Sequence, residues 1–203
     1  MVFYGHFRGL NMSTVFLGSA SPRRQELFKA LYQNFQILTA DSEPEARFGD
    51  PAEFVTFSAA FKARTIHRLP EAEGGLLFTF DTVVALGQRL LGKPSSKDVA
   101  RDMLEELFGQ SHSVFTGFAV MDPSGNLLLN SAEETRVSFD LGQETDLNRW
   151  LEGESWQDKA GGYAIQDSLC APFIRSIDGC WYNVVGLPVA RLCRELSNLG
   201  LRG

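Results

Sequence analysis

Two serine hydroxyls and two arginine side chains come close together in the segment Ser19-Ala-Ser21-Pro22-Arg23-Arg24. The segment follows a β-rich run, 14–19, and precedes apolar residues at helical spacing, so we expect it at a turn between a strand and a helix N-terminus. Helix N-termini offer free N–H groups, and guanidinium groups bind phosphate through paired hydrogen bonds. The segment therefore predicts an anion site that suits a phosphate chain. The alternative is that Ser21 only caps the helix and both arginines are solvated.

A carboxylate, Asp81, is the only charged side chain in the run 76–86. The other residues of this run are typical of a strand that is buried on both faces. A buried ion pair seldom adds net stability, so a functional role explains Asp81 better than a structural one. We predict that Asp81 takes part in chemistry, and the structural alternative is an ion pair with one of the arginines.

The patterns of several common enzyme classes are missing. The sequence has no GxxxxGK[ST], GxGxxG or HExxH motif, and Ser21 does not lie in a GxSxG motif. These absences disfavour P-loop kinases, dinucleotide-dependent dehydrogenases, zinc proteases and serine hydrolases. His112 has no Cys or His close by in the sequence, so we expect a hydrogen-bonded structural histidine and not a metal ligand.

Composition limits the remaining classes of protein. The chain has 203 residues, of which 44% are hydrophobic and 22% charged, which excludes disordered, collagen-like and coiled-coil proteins. The formal net charge of −6 argues against duplex nucleic acid and anionic membranes as partners. Arginine supplies 14 of the 19 basic residues, and its planar fork suits a small anionic ligand.

The compartment and the domain limits are also expectations from the sequence. Three cysteines without a CxxC pair fit free, buried thiols in a reducing compartment, and we expect a cytoplasmic protein. Residues 1–11 show no clear period, so we expect an N-terminal extension, with translation starting at Met1 or Met12. Residues 12–203 are expected to form one domain, and the sequence leaves a homodimer open.

The elements that must position these residues alternate between helix and strand early in the chain, and strand patterns cluster in the middle. We predict an α/β fold in which helices flank a mixed, twisted sheet and two lobes surround a central cleft. Two strands are expected at 127–130 and 134–140, and a hairpin of strands at 173–177 and 180–185. A helix that begins at Asp50 is expected to bury the phenylalanines 54, 57 and 61.

Six segments resemble, in order and spacing, the motifs of the Maf family of nucleoside triphosphate pyrophosphatases, over about residues 14–199. They are Ser19-Ala-Ser-Pro-Arg-Arg24, Phe80-Asp-Thr-Val-Val84, Gly92-Lys-Pro94, Gly109-Gln-Ser-His112, Asp158-Lys-Ala-Gly-Gly-Tyr-Ala-Ile-Gln166 and Val184-Val-Gly-Leu-Pro188. The resemblance implies a Maf/ITPase-like fold and hydrolysis of a nucleoside triphosphate between its α- and β-phosphates.

The resemblance also implies roles for single residues. Asp81 takes the position of the family's catalytic carboxylate. A divalent cation such as Mg²⁺ or Mn²⁺ is implied, with Asp81 and Glu43 as its candidate ligands, because hard cations prefer oxygen. The candidates for binding the phosphates are Ser19, Ser21, Arg23, Arg24, Lys62 and Lys93. The plainer alternatives are a solvated helix face for Lys62 and an ordinary acidic loop for Glu43.

Base selectivity is implied by three further positions. Arg24, Thr82 and Gln166 match the family branch that acts on dTTP and UTP, and an amide such as Gln166 can pair with the imide edge of uracil or thymine. We therefore expect dTTP, UTP or modified pyrimidine nucleotides as substrates. One alternative is a pyrophosphatase for 7-methyl-GTP or for many nucleotides. Another is a nucleotide-binding regulator of cell division and septum formation that does not turn its ligand over.

Overall fold

A mixed sheet forms the centre of the molecule in the computed structural model, which describes residues 14–39 and 49–201. Among these residues the sheet has seven strands, in the order β2-β1-β3-β5-β6-β7, with β4 paired to β3. The strands are β1 (Thr14–Gly18), β2 (Gln36–Ile37), β3 (Gly75–Leu86), β4 (Arg89–Leu91), β5 (Ser111–Met121), β6 (Leu127–Phe139) and β7 (Ile174–Asp178). The helices are α1 (Pro22–Phe28), α2 (Pro51–His67), α3 (Lys97–Leu107), α4 (Glu144–Glu152), α5 (Trp181–Val185) and α6 (Val189–Asn198).

The strand pairing leaves an opening at one edge of β3. Strand β1 runs parallel to β3 and ends where Gly18 pairs with Thr79, while β4 pairs antiparallel with β3 from Val84 onward. On the other side, β5 pairs with β3 from Leu77 to Ala85. Residues 80–83 of β3 therefore have no strand partner on the β1 side among the described residues, and we call this opening the edge gap.

Helix α2 covers one face of the sheet at very short range. A Cβ atom at Gly117 on β5 would lie 2.1 Å from the carbonyl oxygen of Val55, so only glycine allows this approach. The residues that α2 buries are mostly small, such as Ala59 and Ala63. Because of this close contact, Lys62 is brought next to β3.

The other face carries two separate apolar clusters. One joins Phe28 of α1 and Leu192 of α6 to Phe78 and Phe80. The second joins helices α3 and α4 to the far end of the sheet, and Trp150 lies in it. These clusters correspond to the two lobes predicted from the sequence, and the predicted mixed α/β sheet with flanking helices is confirmed.

Two details of the predicted packing are wrong. Phe57 is exposed and stacks on Phe61 with ring centroids 6.2 Å apart, because the face of α2 that packs on the sheet is the one that carries Ala59 and Ala63. Residues 181–185 form helix α5 and not a strand. Here the side chain of Asn183 donates to the Val114 carbonyl and to Thr135, and these tertiary contacts override the β propensity of the segment.

Strand β6 is longer than predicted, because it runs without a break from Leu127 to Phe139. No helix in the described part of the chain is long and apolar enough to cross a membrane. The predictions for residues 1–11 and for the start at Met12 lie outside the described residues.

Candidate active site

A cavity of about 580 Å³ opens at the edge gap. One wall is the turn from β1 into α1, and the opposite wall is the segment 158–166, while Phe80 and Thr82 of β3 lie between them. The volume is in the range of small-molecule sites. The predicted anion segment and the late glycine-containing motif, which are far apart in sequence, therefore line the same cavity.

Arg24 connects the chain segments that form the floor of this cavity. Its guanidinium donates to the carbonyl oxygens of Gly186 at 2.9 Å and Phe80 at 3.3 Å, and to the hydroxyls of Thr82 at 2.9 Å and Ser19 at 3.4 Å. Four hydrogen bonds leave one of the five guanidinium N–H donors for a ligand. Arg24 therefore acts first as a support for β3 and for the turn after α5.

Burial lowers the pKa of the Arg24 guanidinium to about 10, a shift that the charge of Asp81 opposes and that of Arg23 reinforces. The group still stays cationic at neutral pH. Its partner Thr82 also shares a hydrogen bond of 2.9 Å with Thr116, whose hydroxyl donates to the Asn183 carbonyl. Thr82 is thereby held in one orientation at the cavity wall.

Arg23 points to the opposite wall. Its Nη1 atom lies 2.8 Å from Oδ2 of Asp158, and its Nη2 atom donates to the Asp158 carbonyl at 3.2 Å. The second carboxylate oxygen of Asp158 accepts from Lys159, which also donates to the Ser155 carbonyl at 2.7 Å. Burial alone would raise the pKa of Asp158, but hydrogen bonds from Lys159 and Arg23 outweigh it, and the pKa is lowered.

Asp81 and Lys62 form an ion pair. The Lys62 Nζ atom lies 2.5 Å from Oδ1 of Asp81, and the two side chains are 17% and 18% exposed. Strand alternation places Asp81 on the face of β3 that α2 covers, whereas Phe80 and Thr82 point to the other face. Lys62 lines the cavity, so the pair sits at its border. The expected structural alternative for Asp81 named an arginine, but the partner is a lysine.

The remaining predicted residues have different surroundings. Lys93 and Gln166 line the cavity, are exposed and have no side-chain hydrogen bond among the described residues. Ser19 is buried, and its hydroxyl accepts from the Ser21 amide at 3.3 Å. Ser21 lines the cavity but its side chain does not cap α1. The candidate ligand Glu43 lies outside the described residues.

The segment 158–166 owes its path to two glycines. Gly161 and Gly162 have φ values of 70° and 73°, which favour glycine over any other residue. The Gly161 amide donates to the Gly92 carbonyl at 3.0 Å, and Trp150 donates to the Gly162 carbonyl at 2.8 Å. The first bond fixes the segment against the loop that carries Lys93, and the second fixes it against α4.

A buried histidine forms a hydrogen bond to the segment 158–166. The Nε2 atom of buried His112 lies 2.9 Å from the hydroxyl of Tyr163, which agrees with the structural role predicted for this histidine. Burial lowers its pKa to about 4 and raises the pKa of Tyr163. His112 is therefore neutral at pH 7.

Sequence reasoning missed three residues at the cavity, namely Asp158, Lys159 and Gly186. All three lie within the family motifs at 158–166 and 184–188, and the charges of Asp158 and Lys159 were the available signal. Gly186 contributes only its carbonyl oxygen, for which no side-chain pattern exists.

The described residues fit a divalent cation only in combination with a phosphate ligand. Among them no three His, Cys, Asp or Glu side chains are close enough to hold a metal ion, and Asp158 is already held by two cations. Mg²⁺ is usually bound by one or two carboxylates together with substrate phosphates. Asp81 suits that arrangement, because it is partly accessible and borders the cavity.

Comparison with known proteins gives consistent matches. A family model described as Maf-like protein matches residues 14–199. Three similar proteins are each named dTTP/UTP pyrophosphatase. That of Pelotomaculum thermopropionicum is 40% identical over 190 residues, with 93% of this chain and 98% of the relative covered. That of Desulforamulus reducens is 38% identical over 191 residues, covering 94% and 98%. That of Clostridium botulinum strain Hall is 36% identical over 193 residues, covering 94% and 99%.

A solved structure also aligns with the chain. It is the crystal structure of a nucleoside-triphosphatase, dITP/XTP pyrophosphatase, from Mycobacterium abscessus, with 14% identity and a TM-score of 0.39. The alignment covers 63% of this chain and 74% of the other, and at this distance it carries no inference.

Proposed function

Because the chain belongs to the Maf-like protein family, we propose that it is a nucleoside triphosphate pyrophosphatase that converts dTTP and UTP to the monophosphate and pyrophosphate. Relatives of that name match at least 93% of the chain. The observation that carries the proposal is the gathering of Arg23, Lys62, Lys93 and Lys159 around one cavity, with Asp81 at its border. In a protein with a net charge of −6, such a group of cations suits a polyphosphate.

In this proposal the cations neutralise the triphosphate so that water can approach the α-phosphorus. Arg23 would bind phosphate oxygens from the wall formed by α1, Lys159 from the opposite wall, and Lys93 from the loop after β4, while the free amide groups of the β1–α1 turn add hydrogen bonds. Arg24 keeps the turn, β3 and Gly186 in place.

Asp81 is the proposed base. Its carboxylate accepts the proton as the water oxygen attacks phosphorus and pyrophosphate leaves. A divalent cation bound by Asp81, with Glu43 as a second candidate ligand, would supply charge neutralisation at the phosphate oxygens. The nucleobase is proposed to contact Gln166, whose amide donor and acceptor suit the imide edge of uracil or thymine, and Thr82, whose hydroxyl keeps one lone pair for a donor.

The test is pyrophosphate release from a panel of dTTP, UTP, CTP, GTP, dATP and 7-methyl-GTP with Mg²⁺ or Mn²⁺. We expect turnover of dTTP and UTP in preference to the purines, and loss of about a hundredfold or more in kcat for Asp81→Asn. The matched control is Asp140→Asn, because Asp140 is also paired with a cationic side chain, that of Arg175, but on the surface. Preference for 7-methyl-GTP would overturn the pyrimidine assignment. Nucleotide binding without turnover in the wild type would favour the regulator alternative.

A further inference from the structure

The Asp158 carboxylate lies between two cationic side chains, in the position where a phosphate group would be expected to bind. Its Oδ2 atom contacts Arg23 from α1 at 2.8 Å, and its Oδ1 atom contacts Lys159 on the opposite wall. Both cations line the cavity. One carboxylate therefore joins the two walls at the cavity.

The exposure of the three side chains is unequal. The Lys159 and Arg23 side chains are 11% and 22% exposed, whereas the Asp158 side chain is 53% exposed. The two cations are thus largely removed from water and need an anion, while the aspartate already faces solvent and can turn outward at low cost. This asymmetry makes Asp158 the replaceable member of the cluster.

A phosphate chain offers the same chemistry with greater charge. Two oxygens of a carboxylate and two oxygens of a phosphate bind a guanidinium and an ammonium group in similar ways. A triphosphate carries roughly four negative charges and can also reach further cations such as Lys93. A single phosphate carries fewer charges, and it competes poorly with an aspartate that is tethered at the site.

From this geometry we infer that Asp158 is an internal substitute for the polyphosphate, which holds Arg23 and Lys159 until a polyphosphate displaces it. The inference rests on the proposed function for the identity of the ligand. It makes Asp158 a determinant of which anions bind at working concentration, because displacing it costs every ligand the same free energy and only a ligand with several phosphates regains enough contacts to bind tightly. After the product leaves, the Asp158 carboxylate can pair with Arg23 and Lys159 again.

The test measures binding directly, without turnover. Isothermal titration calorimetry with inorganic tripolyphosphate and with orthophosphate is carried out on the full chain and on Asp158→Asn and Asp158→Ser. Without the competing charge, tripolyphosphate should bind about three- to tenfold more tightly, the size expected for release of one partly exposed ion pair. Orthophosphate, which the wild type should bind weakly, should gain by about the same factor, because both anions displace the same carboxylate.

The control is Asp140→Asn, which removes another half-exposed aspartate from an arginine, Arg175, outside the cavity. It should leave both affinities unchanged. If both Asp158 variants stay folded in thermal unfolding and bind tripolyphosphate as weakly as the wild type or more weakly, Asp158 only positions its neighbours and the inference is wrong. Tighter binding in the variants of a protein that hydrolyses no nucleotide would keep the inference and reject the proposed function.

Discussion

Single residues at this site divide into those that bind other parts of the protein and those that are free for a ligand. Arg24 belongs to the first group, since four of its hydrogen bonds reach protein acceptors. Lys93 and Gln166 belong to the second, because they line the cavity without a side-chain partner among the described residues. The sequence motif groups Arg23 with Arg24, but the structure gives them different tasks.

The task of Arg24 can be tested with Arg24→Lys. Lysine keeps the charge but cannot donate to Gly186, Phe80 and Thr82 at once, because its three donors come from a single atom. We expect the free energy of unfolding to fall by about 1–3 kcal/mol, with a loss in kcat/KM. Urea unfolding and the pyrophosphate assay measure both. Arg175→Lys is the control, and equal stability losses in the two variants would contradict the assignment.

The buried His112 predicts a dependence of stability on pH. In the unfolded chain it takes up a proton near pH 6.5, whereas in the folded chain the pKa is about 4. Between these values the unfolded state binds more protons, so stability falls as the pH falls below 6.5 and the loss levels off below 4.

At pH 5 this residue should remove about 2 kcal/mol of stability relative to pH 7.5. Urea unfolding of the wild type and of His112→Gln at both values measures the contribution, and the variant should lose less on acidification by about that amount. Equal losses in the two proteins would show that acid destabilisation arises elsewhere.

At the scale of elements, the distance between α2 and the sheet sets the position of the ion pair between Lys62 and Asp81. Gly117 on β5 pairs with Asp81 and lies beneath the backbone of Val55. The same glycine therefore determines how closely α2 approaches and where Lys62 lies relative to β3.

Gly117→Ala should push α2 away from the sheet, since its Cβ atom would lie 2.1 Å from the Val55 carbonyl oxygen. We expect a stability loss of about 1–3 kcal/mol or more and a clear fall in kcat. Gly49→Ala is the control, because no atom lies within 4 Å of a Cβ built there. A variant with normal kcat and normal stability would mean that α2 does not set the geometry.

The order of elements could be predicted where the sequence pattern is local. The turn into α1, the cap at Asp50 and the buried strand around Asp81 each have signals within a few residues, and all three are present in the structure. Asp50, for example, accepts hydrogen bonds from the Ala52 and Glu53 amides.

Predictions were wrong where distant parts of the chain decide the outcome. The β-branched and aromatic residues of 181–185 suggest a strand, yet Asn183 is held by Val114 and Thr135 in a helix. The partner of Asp81 could not be named for the same reason, because it depends on the approach that Gly117 allows. The shared cavity of Arg23 and Asp158 is likewise a product of tertiary folding.

For the whole molecule, charge is distributed unevenly. The net charge is −6, yet three of the five lysines, at 62, 93 and 159, line one cavity together with Arg23 and Arg24. The field at the site is therefore opposite in sign to the net charge of the molecule.

This distribution predicts a dependence on ionic strength. Raising NaCl from 50 to 300 mM should raise the KM for dTTP by about two- to fivefold, because salt screens the attraction between the cations and the phosphates. The kcat should change less, since it is measured at saturation, where the substrate is already bound. Steady-state kinetics at constant pH measure both, and a KM that does not vary with salt would argue against a site dominated by charge.

The edge gap has a consequence for the order in which the molecule folds. The second half of β3 pairs with β4 across a tight turn, and β5 pairs with β6 across another, so these contacts are local and form quickly. The first half of β3 pairs with β5 as well, but its partner on the other side, β1, comes from far earlier in the chain and requires closure of a long loop. The edge gap therefore lies at the boundary between a part of the sheet that forms early, β3 to β6, and a part that forms late, β1. Because the Ser19–Arg24 segment arrives with β1, we expect catalytic competence to appear only at the last step, after most of the sheet has already formed.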